Sequence, residues 1–399
     1  MTLAPHLLLA YDFPPIGGGI ARWMGEMARW YPERSLIVST GTLDGAAAAD
    51  ARLPVPVDRV GVPARRLRTL PGLVRWSLRV ERLARGRGVS FAWCGNFRPA
   101  AYPARWLLRR RGVPYGVVLH GGDLLILETQ ARRSVRKRAV ARRLLGDAAV
   151  LVTNSGFTRE LALRTLAGLD LPPAPERAVV VPLGTDPARF SPRVDPAPAR
   201  ERFGLGDGPL LLTVARLTPH KGIDTALRAL ALLAGEHPAL RYAVAGDGND
   251  GPRLRALAAE LGVADRVHWL GPVGDDVLPS LYRAATAYLG LSRREGVDVE
   301  GFGISLVEAS GCGVPVVGGR SGGIPDAVRD GETGFLVAPD DPAAAAEAVR
   351  LLLADPALAH RLGDGGRRAV ETHYHWARVA ADLRRLGDAA ATATRGSGR

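Results

Sequence analysis

Residues 296–311 read GVDVEGFGISLVEASG, a glycine- and acid-rich loop running into an apolar stretch with the character of a buried helix. A strand-like run, 286–292, precedes it and another, 313–318, follows, so the segment reads strand, loop, helix, strand. That order is the repeating unit of open parallel sheets. Two glutamates stand out. Glu300 precedes the helix start, and Glu308, eight residues on, lies inside a helix otherwise made of Ile304, Ser305, Leu306, Val307, Ala309 and Ser310. A solvated helix face is one explanation of Glu308; a site that holds hydroxyl groups is the other.

The same unit recurs along the chain. Apolar strand-like runs fall at 6–11, 35–40, 89–94, 115–120, 148–153 and 178–182, then at 209–215, 241–245, 266–270, 286–292, 313–318 and 334–337. They are apolar throughout, as for parallel strands covered on both faces, and each is followed by helical or glycine-rich sequence. At 399 residues and 47% hydrophobic content, two doubly wound α/β domains are expected. Prolines and charges break the pattern over 190–204, which sets the domains at 1–192 and 193–375. A helix over 376–390 is expected to pack back on the first domain, with a disordered tail at 391–399.

Composition excludes several classes. Two cysteines, Cys94 and Cys312, give no disulfide framework and fit a reducing, cytoplasmic compartment. No apolar run is long enough to span a bilayer, and residues 1–15 lack the pattern of a signal peptide. The net charge of +13 is uneven: residues 1–190 carry +15 and the remainder −2. The excess concentrates between Arg52 and Arg143. A basic field of this kind attracts anionic lipid, a phosphorylated acceptor or nucleic acid. Arginine supplies 51 of the 53 basic residues, and the two lysines are Lys137, inside an arginine run, and Lys221, alone in ARLTPHKGID. An ammonium kept where arginine is the habit points to a specific role for Lys221.

Ligands in doubly wound sheets bind beyond the carboxyl ends of the strands, at helix N-termini. The loops there are informative. Gly17, Gly18 and Gly19 let backbone amides approach a phosphate or sugar, but Arg22 breaks the G-x-G-x-x-G spacing of dinucleotide enzymes. His120 ends a strand ahead of Gly121 and Gly122. Arg216 and Lys221 share one strand-to-helix loop and suit a diphosphate, without the sequence of a P-loop. Gly246 opens a Gly-Asp-Gly turn. In the opening stretch the amides of Phe302, Gly303 and Ile304 begin the helix and offer an anion site. Glu308, one turn in, would be repelled by phosphate and should accept from neutral hydroxyls such as those of ribose, while Glu300 could hold sugar hydroxyls. No metal-ligand spacing occurs.

EGFGISLVE followed by GVPVVGGRSGGIPDAV resembles the donor-binding region of family 4 retaining glycosyltransferases, which have the GT-B fold, two Rossmann-like domains facing across a cleft. GGGIAR, VARLTPHKG, AGDG, VHWLGPV and VPLGTDPARF are similar to further motifs of that family, in order, so the resemblance covers nearly the whole chain. It implies that Arg216 and Lys221 bind the diphosphate of a nucleotide-sugar. Glu308 would bind ribose, and Glu300 the transferred sugar together with amides 302–304. Val273 and Gly246 would lie at the nucleotide, Gly18 and Gly19 near the donor phosphate, and His120 near the reacting sugar. It also implies retention at the anomeric carbon, no metal and no cofactor beyond a GDP- or UDP-linked co-substrate. The insertion REGVDVEG is closest to GDP-mannose-dependent phosphatidylinositol mannoside mannosyltransferases. That implies a hexose, mannose by this resemblance, moved to a hydroxyl of a lipid, glycan or metabolite by a peripheral enzyme at the inner membrane face. The competing expectations are a UDP-sugar enzyme with a small-molecule acceptor, and a non-catalytic module binding sugar nucleotides or, through Trp76, Trp93 and Trp106 among the arginines, nucleic acid.

Overall fold

The computed structural model describes residues 4–172 and 174–396. It falls into two compact units, one of residues 1–181 with 376–399, the other of residues 182–375. In the first, β1 (His6–Leu9), β2 (Leu36–Thr42), β3 (Val57–Pro63), β4 (Phe91–Cys94), β5 (Tyr115–Leu119), β6 (Val150–Thr153) and β7 (Ala178–Val180) form one sheet in the order β3-β2-β1-β4-β5-β6-β7. In the second, β8 (Leu210–Val214), β9 (Arg241–Ala245), β10 (Val267–Gly271), β11 (Ala287–Gly290), β12 (Val316–Gly319) and β13 (Gly334–Val337) take the order β10-β9-β8-β11-β12-β13. All pairings in both are parallel. The apolar runs are the reason: Leu7, Leu8, Leu9, Leu210, Leu211 and Leu212 are fully buried, covered by helices on both faces.

The first sheet has seven strands where the runs indicated six. β3 was hidden because it is an edge strand, with Asp58 and Arg59 half-buried and Gly61 and Pro63 exposed, so it lacks a continuous apolar signature. The boundary also differs. The second unit starts at Pro182, not after residue 192, because the Thr185 amide donates to the Tyr374 carbonyl at 2.9 Å and Phe190 is buried against Tyr282 in that unit's core. The proline-rich segment at 190–204 therefore lies inside the second unit.

The terminal helix, Trp376–Gly396, belongs to the first unit and runs past residue 390, with Ala391 still buried; residues 397–399 lie outside the described residues. It is fixed by polar contacts as well as packing. Arg384 forms a bidentate pair with Asp388 and also donates to the Ala4 carbonyl and Ser35 Oγ. Fully buried His6 places Nδ1 2.6 Å from the Tyr31 hydroxyl and Nε2 3.2 Å from Asp388 Oδ1. Gly387 is required there, since a Cβ would sit 2.5 Å from the His6 ring.

Candidate functional site

Strand order locates the crevice in each unit. In the second, the winding reverses between β8 and β11, so the loops after these strands border a topological switch point. Arg216 and Lys221 lie on the first loop, Glu300, Phe302 and Gly303 on the second. The loops pack backbone against backbone. Gly222, at φ 67°, leaves no room for a Cβ, which would fall 1.9 Å from the Leu291 carbonyl oxygen. Gly246, at φ 135°, meets the Ala215 carbonyl at the same distance. The Leu217 amide donates to the Asp247 carbonyl, the Asp250 amide to the Leu217 carbonyl, and the Arg293 amide to the His220 carbonyl.

Charge fixes these loops further. Arg293 grips Asp224 with two bonds of 2.8 and 2.9 Å and reaches Glu295 at 3.2 Å. Arg253 pairs bidentately with Asp250 and lies 3.5 Å from Asp224. Burial pushes the Asp224 carboxyl up, but the Arg293 bonds and charge outweigh it, and its pKa is lowered.

Lys221 Nζ lies 2.5 Å from Glu300 Oε2, both side chains largely buried. Burial acts against the Glu300 carboxylate; the Lys221 ammonium, His220 and the Phe302 amide, which donates to it, outweigh that, and its pKa is lowered. His220, buried and 3.2 Å from Thr218 Oγ1 through Nδ1, has its pKa lowered by burial first and then by Lys221. Arg216 is exposed on the same loop.

The helix after the second loop spans Ile304–Gly311, with Gly303 at φ 97° as its N-cap and no side-chain cap. Phe302 is buried against the cluster of Val307, Ala327 and Tyr374, so its side chain anchors the turn while its amide turns to Glu300. Glu308 is only 2% exposed and takes a 2.7 Å bond from the Tyr282 hydroxyl through Oε2. A solvated helix face is thereby excluded. Val273, after β10, packs half-buried against the core of the same unit.

In the first unit the reversal falls between β1 and β4. Asn96, after β4, bridges to the loop after β1: its Oδ1 accepts from the Tyr11 and Asp12 amides and its Nδ2 donates to Asp12 Oδ2 at 2.9 Å. Gly18 caps the helix Gly19–Trp30 at φ 118°, and a Cβ on Gly17, Gly18 or Gly19 would meet nothing within 4 Å, so packing does not demand three glycines. His120 follows β5. Its Nε2 lies 2.8 Å from the Gly95 carbonyl, which can only accept, so Nε2 carries the proton. The ring meets the edge of Trp23 at 5.3 Å. Asp123 Oδ1 accepts from the His120 and Leu124 amides, and its buried Oδ2 has no hydrogen-bond partner in the described structure. Burial, the leading cause, raises the Asp123 pKa.

Each expected residue thus has a defined place: Arg216, Lys221, Gly246, Val273, Glu300, Phe302, Gly303, Ile304 and Glu308 in the second unit, Gly18, Gly19 and His120 in the first. Sequence reasoning missed Asp224, Arg253 and Arg293, which hold the loops, and Tyr282, which holds Glu308. Arg293 was masked by the chain's arginine habit, and Tyr282 lies 26 residues from its partner. Of the three tryptophans expected among the arginines, Trp76 and Trp93 are fully buried and cannot stack on bases, and Trp106 alone is exposed, at 40%. Among the described residues, no group of three His, Cys, Asp or Glu side chains is placed to hold a metal ion, and no helix is long and apolar enough to cross a membrane.

Residues 198–369 match the family described as glycosyl transferases group 1, and residues 18–184 the glycosyl transferase 4-like domain. Over 392 residues the chain is 34% identical to the GDP-mannose-dependent alpha-(1-6)-phosphatidylinositol monomannoside mannosyltransferase of Mycolicibacterium smegmatis, covering 95% of this chain and 97% of that one. It is 32% identical to the D-inositol 3-phosphate glycosyltransferase of Streptomyces bingchenggensis, covering 91% of this chain and 83% of the other. The fold is also that of Anabaena HepE, solved with UDP and glucose, at a TM-score of 0.74 and 20% identity over 96% of this chain and 99% of that one.

Proposed function

Since this chain belongs to the family 4 glycosyltransferases and has their GT-B fold, we propose that it transfers a hexose with retention, mannose from GDP-mannose, to a hydroxyl of a lipid-borne acceptor. The observation that carries this is the Lys221–Glu300 pair at the switch point of the second unit, a cation for the diphosphate beside a carboxylate for the sugar. The identity of the sugar and nucleotide is drawn from the mycobacterial mannosyltransferase, which aligns along almost its whole length.

In this mechanism Arg216 and Lys221 neutralise the departing diphosphate as the anomeric C–O bond to phosphate breaks. The acceptor oxygen bonds the same carbon from the same face, and its proton passes to an oxygen of the leaving phosphate. These two cations, Lys221 held by Glu300 and Arg216 exposed on the same loop, supply the charge that a divalent metal would otherwise contribute, and the reaction as proposed uses no cofactor. Glu300 accepts from hydroxyls of the transferred sugar, with Gly303 and Ile304 amides on the phosphate side. Glu308 accepts from the ribose, its carboxylate aimed by Tyr282. Gly246 and Val273 border the nucleotide. From the family resemblance, Gly18 and Gly19 are assigned to the donor phosphate, and His120, held by Gly95, to the reacting sugar.

The acceptor side is assigned to an anionic membrane surface at the cytoplasmic face, on the strength of the basic excess of the first unit. A second assignment, a soluble cyclitol phosphate acceptor, is supported by the likeness to the inositol 3-phosphate enzyme. A melting-temperature panel of GDP- and UDP-sugars identifies the donor, since a ligand of the folded state raises the transition. Transfer from GDP-mannose to phosphatidylinositol mannoside, compared with inositol 3-phosphate, then decides the acceptor. A shift only with UDP-sugars overturns the mannose assignment, and binding without transfer or donor hydrolysis would leave a non-catalytic sensor.

A further inference from the structure

We propose that the first unit carries a binding site for a small polyphosphorylated molecule, at the break between the helices Gly122–Arg133 and Val135–Gly146, separate from the loops assigned to transfer. It does not depend on the donor or acceptor assignment. The sequence there, ARRSVRKR over 131–138, puts basic residues on both sides of Ser134. Arg132 and Arg133 end their helix, where the helix dipole favours cations. Arg136, Lys137 and Arg138 do the opposite. They fill the first turn of the next helix, at the end that favours anions, and no acidic residue offsets them there. A local rule broken in this way points to a bound group that compensates.

The break also opens a cavity. Ser134 is extended, at φ −153°, and its hydroxyl accepts from the Lys137 amide, which starts the second helix. Beside it lies a cavity of about 460 Å³, lined by Arg132, Arg133, Arg138 and Arg164 with Glu128 and the buried Leu169. Two of these arginines are fixed. Arg164 Nε donates to Glu128 at 3.2 Å, and Arg138 donates to Asp170 at 2.7 Å and to the Gly168 carbonyl at 3.1 Å. Arg132 and Arg133 are exposed and form no hydrogen bond or ion pair among the described residues. Each carboxylate thus has its guanidinium, and two guanidiniums remain at one cavity without an anion.

Shape and charge together define the ligand. Guanidiniums around a concave site suit phosphate oxygens. A single phosphate would leave most of the volume empty, while 460 Å³ is within the range of sites for small organic molecules, about 300–1,000 Å³. Nucleic acid would need rings to stack on, and no aromatic side chain among the described residues lines the cavity. Position separates this site from the reaction. The helices Gly122–Arg133 and Gly156–Gly168 begin just beyond the carboxyl ends of β5 and β6, the first of them beside His120, yet their last turns line the cavity, about 15 Å along each helix. A ligand there bridges the far ends of these two helices.

Titration calorimetry with inorganic tripolyphosphate tests this. The protein is expected to show two classes of site, one at Arg216 and Lys221 and one at the cavity, both weaker at high salt. Arg132→Glu with Arg133→Glu should weaken the cavity site at least about tenfold and leave the other, whereas Lys221→Ala should do the reverse. Gly168→Phe is a second cavity variant. A Cβ there meets nothing within 4 Å, so the ring takes up cavity space without altering charge, and it too should weaken that site about tenfold. Unchanged melting temperatures show that the variants remain folded. If tripolyphosphate binds the original protein and both cavity variants equally, the proposal falls. If only the arginine variant weakens binding, the arginines act as a surface field and the cavity is not the site. If phosphatidylglycerol vesicles bind at these arginines and tripolyphosphate does not, the partner is a lipid surface and the proposal is overturned. Unchanged binding in Lys221→Ala counts against the diphosphate role of Lys221 and not against the cavity.

Discussion

Lys221 and Glu300, 79 residues apart in sequence, meet at 2.5 Å between the two loops that flank the reversal of the second sheet. Each holds the other's charge in place before any donor arrives. Replacing Lys221 or Glu300 by Ala is expected to lower transfer by at least about two orders of magnitude, as lost transition-state contacts do. Because the two act on one another, the double variant should lose far less than the product of the single effects. Near-wild-type turnover in either single variant removes the role assigned here. The pair should also persist at mildly acidic pH. The Glu300 pKa is lowered, so its ionised form is kept at and above the ordinary value of 4.5 and is lost only as pH falls below it.

Arg293 joins the second loop to the first through Asp224. Arg293→Ala leaves a largely buried carboxylate with the Thr225 amide and the single longer contact of Arg253 at 3.5 Å in place of the bidentate pair, which should cost about 1–3 kcal/mol in denaturant unfolding. Steady-state kinetics should show donor KM rising more than kcat falls, because the loops lose their setting while the reacting groups remain. Arg294→Ala is the control, since Arg294 is exposed and, among the described residues, its side chain bonds the Gly296 carbonyl alone.

Stability should depend on pH through His6. Burial, aided by Arg384, lowers its pKa from 6.5 to about 4 despite Asp388. The unfolded chain therefore takes up the proton first as pH falls. The stabilisation from a neutral His6 is complete above 6.5 and is lost progressively down to about 4, by up to roughly 3 kcal/mol. Unfolding midpoints across this range should fall with acid in the native protein and flatten in His6→Phe. An equal slope in both would exclude His6 as the cause.

Asp123→Asn retains an oxygen for the His120 and Leu124 amides but removes the charge beside the imidazole. Its melting temperature should change little. The kcat/KM should nevertheless fall by about tenfold or more, as expected when a group packed beside a positioned histidine is changed. His120→Ala, by contrast, should lose activity at every pH.

The layout of both sheets was legible because parallel strands are apolar along their length, and 12 of the 13 strands announced themselves this way. β3 did not, because edge strands need no second covered face. The loops that carry the candidate residues were legible too, since glycines and isolated charges after strands have few structural uses. Their supports were not. Nothing in SRREG separates Arg293, which binds Asp224, from Arg294, which bonds a backbone carbonyl, and nothing marks Tyr282 as the partner of Glu308. Such pairings depend on which loops the sheet order brings side by side.

The terminal helix carries a consequence for biosynthesis. Residues 376–396 complete the first unit through His6, Ser35 and Ala4, although the whole second unit lies between them in the chain. During translation the first unit is completed only once residues 376–396 have left the ribosome, after residues 182–375 have been made. The second unit is therefore the first that can finish folding, and a ribosome stalled before residue 376 would hold a chain whose first unit lacks its closing helix.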